Sequence, residues 1–370
     1  MIKTIVLRVS ILLTVGLFVG CGREQTPSSD YMILEDVQYV QTFPQTFSLD
    51  DQIEVDLETS CDIIGVIDFL IYDSLLILAT TDREGLWSFI SLPDYIFLGK
   101  FLTIGQGPYE FNFPPYVGSN ARFFREQEKL FVIIYPFYQQ KLYKMNVDES
   151  IKNNKLNIYT LNDALPLISF NFAMLDNTTF FIKEIVNSET QNIRYILDNG
   201  RKVIPPHFEK MNLAKIKEGE DINILSTIAK YDFERNLIVE MPVGLNYINT
   251  YSIDGSFGKT ICIGNRLDHI GKIQTSRRED RIHTFGDIRL FSKFWGVLFI
   301  NEDYRTNLTE RQQLPEILLF DWFGKPLAKL KLNIFITSFD IDFTNGYLYT
   351  LDDPTDKMYK YNIREILEEL

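Results

Sequence analysis

One short loop holds the residues of this sequence whose types and spacing most resemble a ligand cradle. It runs Gly105-Gln-Gly-Pro-Tyr-Glu-Phe111. Gly105 and Gly107 permit backbone angles that other residues resist, Pro108 fixes φ, and Glu110 can accept hydrogen bonds from loop amides. These amides and the carboxylate could hold a ligand, but Gly and Pro more often mark a turn between strands. We therefore interpret Gly105, Gly107, Pro108, Glu110 and Phe111 as a structural turn.

Other residues with suitable chemistry lack suitable spacing. The acidic groups are Asp50-Asp51, Glu218 to Asp221, and Asp352-Asp353 with Asp356. None fits the spaced Asp/Asn loop with a closing Glu that holds calcium, and solvated turns explain them in a chain this acidic.

The remaining candidates for metal binding or catalysis are equally dispersed. The three histidines, His207, His269 and His283, have no ligand spacing, and no Gly-x-Ser-x-Gly elbow occurs. We therefore predict no metal site, no cofactor and no catalytic residue.

Cys21 is the residue with the clearest expected modification. Lys3 and Arg8 precede an apolar run from Val9 to Val19, and small Gly20 stands directly before the cysteine. This arrangement is typical of an export signal, and the run is shorter than the roughly twenty apolar residues of a membrane span. Gly20-Cys21 resembles the lipobox of bacterial lipoproteins, which implies acylation of Cys21 and removal of residues 1–20. A plain secretory signal with a chance cysteine is the alternative.

The polar segment that follows Cys21 predicts a flexible tether, which we place at residues 21–34. Several acyl chains on one cysteine would anchor the chain durably in a membrane. The remaining cysteines, Cys61 and Cys262, are far apart in sequence and lie in apolar contexts, so buried free thiols are favoured and a disulfide stays open.

Net charge argues against one class of partner. Removal of residues 1–20 leaves 35 basic against 50 acidic residues, a formal charge of −15. A surface of this sign repels nucleic-acid phosphates, so we expect no nucleic-acid binding.

The elements that must position any site are β-hairpins. In the stretch from Phe339 to Leu351, two alternating apolar arms meet at Thr344, Asn345 and Gly346, which predicts a tight turn with Phe339, Ile341 and Phe343 on one face. Similar hairpins are predicted at residues 66–80, 121–135, 170–185, 228–241 and 288–301.

A second recurring piece follows most hairpins, an alternating strand that ends in Asp and Gly, as in Tyr251-Ser-Ile-Asp-Gly255. Each unit therefore has four short antiparallel strands and repeats at roughly fifty to sixty residues, which is typical of a β-propeller blade. We predict an all-β, six-bladed propeller over residues 35–370. A pair of β-sandwich domains divided near Glu209 to Asp221 is the alternative.

The last unit lacks an outer strand before its predicted helical tail at residues 364–370. The strand-like segment from Asp36 to Phe47 is the candidate to supply that strand and close the ring, which would remove an exposed sheet edge.

The G-x-G-P-x-E-F run, after a lipobox and before most of the degenerate blades, resembles the six-bladed, TolB-like propeller lipoproteins of Bacteroidota. That resemblance implies a fold and an address in the cell envelope, as an outer-membrane lipoprotein, periplasmic or surface-exposed. It implies no reaction. We therefore expect a noncatalytic binding or interaction module that uses propeller loops, with an envelope protein or glycan as partner. A glycan- or peptide-directed hydrolase or lyase with its site at the central channel is the alternative.

Overall fold

The computed structural model describes residues 29–57, 62–136, 139–162, 165, 169–187 and 190–370. Cys21, Cys61 and the signal segment lie outside these residues. Within them the chain forms six sheets, each built on four strands that follow one another antiparallel. This is the predicted six-bladed propeller, and it excludes the pair of sandwiches.

The first three blades follow the chain order without interruption. Their strands are β4 (Val66–Tyr72), β5 (Leu75–Thr80), β6 (Trp87–Ser91) and β7 (Ile96–Phe101); β8 (Ala121–Glu126), β9 (Lys129–Ile134), β10 (Leu142–Asn146) and β11 (Ile158–Asn162); β12 (Ser169–Met174), β13 (Thr179–Val186), β14 (Gln191–Asp198) and β15 (Arg201–Val203).

The last three blades use the rest of the chain and part of its beginning. Their strands are β16 (Thr227–Asp232), β17 (Leu237–Pro242), β18 (Tyr247–Ser252) and β19 (Gly258–Ile263); β20 (Ile282–Leu290), β21 (Trp295–Asp303), β22 (Glu316–Phe320) and β23 (Pro326–Leu332); β24 (Ser338–Asp342), β25 (Tyr347–Asp352), β26 (Lys357–Asn362) and β3 (Ile53–Val55).

Helices are short and lie in the connections between strands, except for the last one, which follows the final strand. The α-helices are Val147–Asn153, Pro206–Asn212, Ile270–Ile273, Tyr304–Thr309 and Arg364–Glu369, and the 3-10 turns are Ile222–Leu225, Arg278–Asp280 and Asp353–Thr355. No helix in the described part of the chain is long and apolar enough to cross a membrane.

All six predicted hairpins are confirmed, with one difference in detail at the last of them. Strands β24 and β25 pair around a loop of four residues, in which Gly346 has a φ of +75° and its amide donates to the Asp342 carbonyl oxygen at 2.8 Å. Phe339 and Ile341 are buried, whereas Phe343 belongs to the loop and is 45% exposed. The predicted apolar face therefore ends two residues early.

The N-terminal segment does not lie where we predicted it. Residues 36–47 were expected to supply the outer strand of the last blade. Instead β1 (Val37–Val40) pairs in parallel with β19, and β2 (Gln45–Leu49) pairs in parallel with β23, each as a fifth, outermost strand. The strand beside β26 is β3, in antiparallel register with Val55 opposite Met358.

Packing of the chain also begins before residue 35. Met32 and Leu34 are 1% and 5% exposed. The Met32 amide donates to the Tyr247 hydroxyl at 3.1 Å, and the Leu34 amide donates to Thr260 Oγ1 at 2.8 Å. The predicted flexible tether, residues 21–34, therefore includes residues that pack on the propeller. Its residues before 29 lie outside the described part of the chain.

Met32 covers a buried ionic cluster between the third and fourth blades. Arg194 and Glu240 form a bidentate pair, with Nε to Oε2 at 2.7 Å and Nη2 to Oε1 at 2.5 Å. Lys183 lies 3.6 Å from the same carboxylate, and all three side chains are inaccessible to solvent. Burial alone would raise the pKa of Glu240, but the adjacent Arg194 and Lys183 outweigh it and hold that pKa well below its usual range. Removal of one member would strand buried charge, so the cluster fixes these two blades together.

We expect the pairing of β3 with β26 to stabilise the ring, and two substitutions in this strand test it. Val55 is 8% exposed and packs in the core between the first and last blades, whereas Ile53 is 50% exposed. Val55→Asp buries an unpaired carboxylate and removes apolar contact, so we expect it to lower the free energy of unfolding by about 2–4 kcal/mol.

Urea unfolding followed by intrinsic fluorescence measures this effect. Ile53→Asp in the same strand is the control and should change the free energy of unfolding by less than about 0.5 kcal/mol. Equal effects of the two substitutions would show that this strand does not stabilise the ring.

Candidate functional site

The innermost strand of each blade borders the central channel, and charged side chains gather there. In the first, fifth and sixth blades this strand contains an Asp followed by a buried apolar residue. These pairs are Asp68-Phe69, Asp287-Ile288 and Asp340-Ile341. An innermost strand has no partner strand on its channel side, so its backbone amides need other acceptors.

The three carboxylates supply those acceptors and join neighbouring blades. Asp340 Oδ2 accepts from the Ile71 amide of the first blade at 2.8 Å. Asp68 Oδ2 accepts from the Gly118 amide, just before the second blade, at 2.6 Å. Asp287 Oδ2 accepts from the Phe339 amide of the sixth blade at 3.3 Å. Each carboxylate thus links its own blade to the next around the channel.

Arg289 is the cation at the centre of this group. Its Nε donates to Asp287 Oδ2 at 2.9 Å, and its Nη2 donates to Asp68 Oδ1 at 3.3 Å. The side chain is 3% exposed and packs against Gly118, where a Cβ atom would lie 2.6 Å from Nη1. Burial opposes its charge, but the three aspartates outweigh burial and raise its pKa.

Burial dominates the protonation of two of the aspartates. It raises the pKa of Asp68, although Arg289 opposes the change. It raises the pKa of Asp340 to about 6, because the side chain is 4% exposed and Arg289 and the two backbone amides offset only part of the desolvation. The charge of Asp340 therefore changes close to neutral pH.

Two further cations border the channel without a carboxylate partner. Lys230, in β16, makes no hydrogen bond or ion pair within the described part of the chain, although Arg289, Asp287, Asp68 and Asp340 all influence its charge. The channel walls surround it while its side chain keeps contact with the channel space. This burial lowers the pKa of Lys230 to about 8.

Arg122, in β8, is the second of these cations. Its Nη1 donates to the Met174 carbonyl oxygen at 2.9 Å, and its guanidinium lies 4.6 Å from the centre of the Phe233 ring. Burial lowers its pKa, and no carboxylate appears among the groups that influence it. Among the residues that the structure describes, its Nε and Nη2 have no hydrogen-bond acceptor.

A cleft of about 720 Å³ contains these groups and opens on the face of the ring that carries the turns between first and second strands. Arg122, Lys230, Arg289 and Asp340 lie in its wall. Aromatic side chains from several hairpins form its rim, and these are Tyr72, Phe123, Tyr231, Phe233, Phe291 and Phe343. Of these, Phe233 is 56% exposed and Phe343 is 45% exposed. The cleft thus combines a charged interior with an aromatic mouth, which is typical of ligand sites.

The sequence-predicted loop lies elsewhere. It connects β7 to β8 and is therefore on the opposite face, and none of its residues borders the cleft. The Gly107 amide donates to Glu110 Oε2 at 2.7 Å, and a Cβ atom on Gly105 would lie 1.8 Å from that oxygen. Phe111 is fully buried against Tyr143. The carboxylate of Glu110 is thus folded over its own loop.

The other candidate residues are dispersed in the fold. Asp356 accepts from the Gly65 and Val66 amides, and Asp221 pairs with Arg281 at 2.8 Å. Across the described ranges, no group of three His, Cys, Asp and Glu side chains is arranged to hold a metal ion. The three tryptophans, Trp87, Trp295 and Trp322, are buried, so none presents a carbohydrate-binding surface.

Sequence reasoning missed every charged residue of the cleft. The available signal was a charge inside an otherwise apolar innermost strand, as at Asp68, Lys230 and Asp340. That signal is weak alone, because only the ring brings these strands together.

Comparison with known proteins supports the fold. No protein-family model matches the chain, and no curated protein is similar to it. A protein of Bacteroides fragilis NCTC 9343 described as exported is 12% identical, with a TM-score of 0.50 and coverage of 85% of this chain and 98% of that chain. A member of the DUF4221 family from Bacteroides vulgatus ATCC 8482 is 11% identical, with a TM-score of 0.49 and coverage of 85% and 96%. At 12% identity the likeness to the Bacteroides fragilis protein shows the fold alone.

The titration of Asp340 leads to a prediction about pH and stability. Its pKa is about 6 in the folded protein and 3.8 for the free side chain, so the folded state keeps a proton that the unfolded chain releases. The resulting stabilisation is fully present below about pH 4 and is lost as pH rises through 6.

Asp340→Asn removes this titration. Relative to wild type, the free energy of unfolding of the variant should therefore increase by about 2 kcal/mol between pH 4 and pH 7. Urea titrations at half-unit pH intervals measure the difference. Parallel pH profiles for the two proteins would contradict the assignment.

Proposed function

We propose that this protein is an exported envelope lipoprotein whose propeller is a noncatalytic binding module, with the channel-mouth cleft as its ligand site. The cleft carries the proposal, because it unites exposed aromatic side chains at the mouth with cations that have no carboxylate partner. Apolar walls with a few convergent polar groups are what a binding pocket requires.

The state of the carboxylates favours binding over catalysis. Both oxygens of Asp340 accept backbone amides, from Ile71 and Ile341. Asp68 and Asp287 each accept a backbone amide and a donor of Arg289. Acid–base chemistry on a glycan needs two carboxylates directed at one bond, and these three are occupied in joining blades.

A hydrolase or lyase at the channel is the second candidate, and the pKa of Asp340 near 6 is the observation that favours it. In that case Asp340→Asn would abolish turnover of a glycan or peptide while leaving its binding intact. If the protein is a binding module, neither wild type nor Asp340→Asn should turn over a glycan or peptide.

Export and anchoring rest on the N-terminal signal and Cys21, together with the exported Bacteroides protein that shares the fold. We propose the outer membrane, on its periplasmic or surface side, and a place among the TolB-like propeller lipoproteins for the same reasons. The partner would be an envelope protein or a glycan.

Substitution of Cys21 tests the anchor. Cys21→Ala removes the acceptor for acyl chains, so the protein should move from the membrane pellet to the soluble fraction and lose incorporation of labelled palmitate. Cys61→Ala is the matched control and should remain acylated and membrane-bound. Sedimentation of Cys21→Ala with membranes, together with unlabelled wild type, would contradict the lipoprotein assignment.

In-cell photo-crosslinking tests the cleft. A photoreactive phenylalanine at position 233 or 343 should capture a ligand at the mouth, and mass spectrometry would identify it as protein or glycan. Phe113 is 67% exposed and lies in the connection on the opposite face, so it serves as the control position. Equal capture from Phe113 and from the rim would show that the cleft is not the binding site.

A further inference from the structure

The two cations without carboxylate partners share one place in the molecule. Arg122 and Lys230 both border the main cleft and a second cavity of about 110 Å³ between the second, third and fourth blades. Ala121 and Tyr231 border both cavities as well, so the two spaces are adjacent at this point. The cations thus face a common volume from different blades.

Lack of a partner is notable in so acidic a chain. The sequence has 50 acidic residues against 37 Lys and Arg, and most buried cations here have carboxylate partners. Arg289 pairs with Asp68 and Asp287, and Arg194 pairs with Glu240. Arg122 and Lys230 are partly buried and make no ion pair within the described part of the chain, so their charges lack the direct compensation that a bound anion would supply.

The surroundings limit what that ligand can be. Tyr72, Tyr231 and Phe233 stand beside the two cations and offer apolar ring surface. Asp340 borders the same cleft, and the charges of Asp68, Asp287 and Asp340 all act on Lys230, so these carboxylates would repel a second negative group. One anionic group on an apolar or stackable body fits this arrangement, and a nucleotide with several phosphates does not.

We propose that Arg122 and Lys230 form a carboxylate-binding subsite in the interior of the cleft, for a ligand whose body lies against the aromatic rim. This inference rests on the proposed binding function and specifies its ligand class. The carboxylate could belong to an acidic sugar or to the C-terminus of a peptide. Both share the same charge-assisted hydrogen bonds to an ammonium and a guanidinium.

Binding of such a ligand should depend on pH in a defined window. Lys230 is faced by Arg289 and Asp287 of the fifth blade, Asp68 of the first and Asp340 of the sixth, with Arg122 across the shared cavity. The arginines keep their charge, and Asp340 is already ionised above pH 7. Lys230, with a pKa of about 8, is then the group that loses charge, so affinity for a carboxylate should fall about tenfold between pH 7 and pH 9.

The test uses full-length protein in detergent and a pair of probes that differ only in charge, phenylacetate and phenylacetamide. Calorimetry or ligand-observed NMR should show tighter binding of the acid. Lys230→Gln should weaken binding of the acid about tenfold to a hundredfold and leave binding of the amide unchanged.

Further variants separate charge from folding. Lys230→Arg keeps the positive charge, so it should retain affinity for phenylacetate and lose the pH dependence between 7 and 9. Lys293→Gln, at an exposed turn of the same face that does not border the cleft, is the control and should behave as wild type. Thermal unfolding of each variant verifies that it is folded.

Two further pairs of matched ligands distinguish the two sources of the carboxylate. Glucuronate is compared with glucose to test an acidic sugar, and an N-acetylated dipeptide is compared with its C-terminal amide to test a peptide C-terminus. Preference for the acid in one pair alone assigns the source. Equal binding of acid and neutral probe, or an unchanged Lys230→Gln, overturns the subsite. If no probe binds while the rim still captures a partner in cells, the subsite is overturned and the proposed function stands.

Discussion

The inner edge of the ring imposes the constraint on which the channel depends. Each blade ends there in a strand with no neighbour on one side, so its amides and carbonyl groups must find partners across the channel or in water. Asp68, Asp287 and Asp340 accept hydrogen bonds from amides at the following blade. Arg289 and those amides offset part of the cost of burying the three carboxylates. The same hydrogen bonds that satisfy the backbone therefore also hold the blades in order.

Among the described residues, these hydrogen bonds from carboxylates to amides of the next blade do not occur between every pair of neighbouring blades. Between the second and third blades the donor is Arg122, which gives a hydrogen bond to the Met174 carbonyl oxygen. Between the third and fourth blades the ionic contact lies farther from the channel and is formed by Lys183, Arg194 and Glu240. The channel wall in this half consequently carries positive charge without acidic partners, and the cleft lies against it.

The first part of the chain contacts several blades and does not form a blade of its own. Met32 lies against the Arg194–Glu240 pair, Val37–Val40 and Gln45–Leu49 extend two outer edges in parallel, and Ile53–Val55 pairs with the last blade. An outermost strand exposes unpaired backbone groups, and such edges invite association with other chains. The N-terminal segment pairs with two of these edges, and its own strands β1 and β2 become the outermost ones.

The strands and turns could be predicted from the sequence because each depends on a few neighbouring residues. Alternating apolar residues around turns such as Tyr72-Asp73-Ser74 and Arg235-Asn236 place all six hairpins, because strand period and turn residues are properties of a few neighbours. The repeat of these units then identifies the propeller. The sequence pattern that predicts acylation at Cys21 is likewise local, and the acylation itself stays a prediction.

Only the tertiary structure decided which residues share the channel. Asp68, Arg122, Lys230, Arg289 and Asp340 come from five different blades and are separated by up to 272 positions in sequence. Each looks like an ordinary charge in a strand, and its role depends on the depth at which its strand lies in the ring. The path of residues 36–47 was beyond sequence reasoning for the same reason. A short apolar strand fits any open edge, and the choice among edges is made by packing distant in the chain.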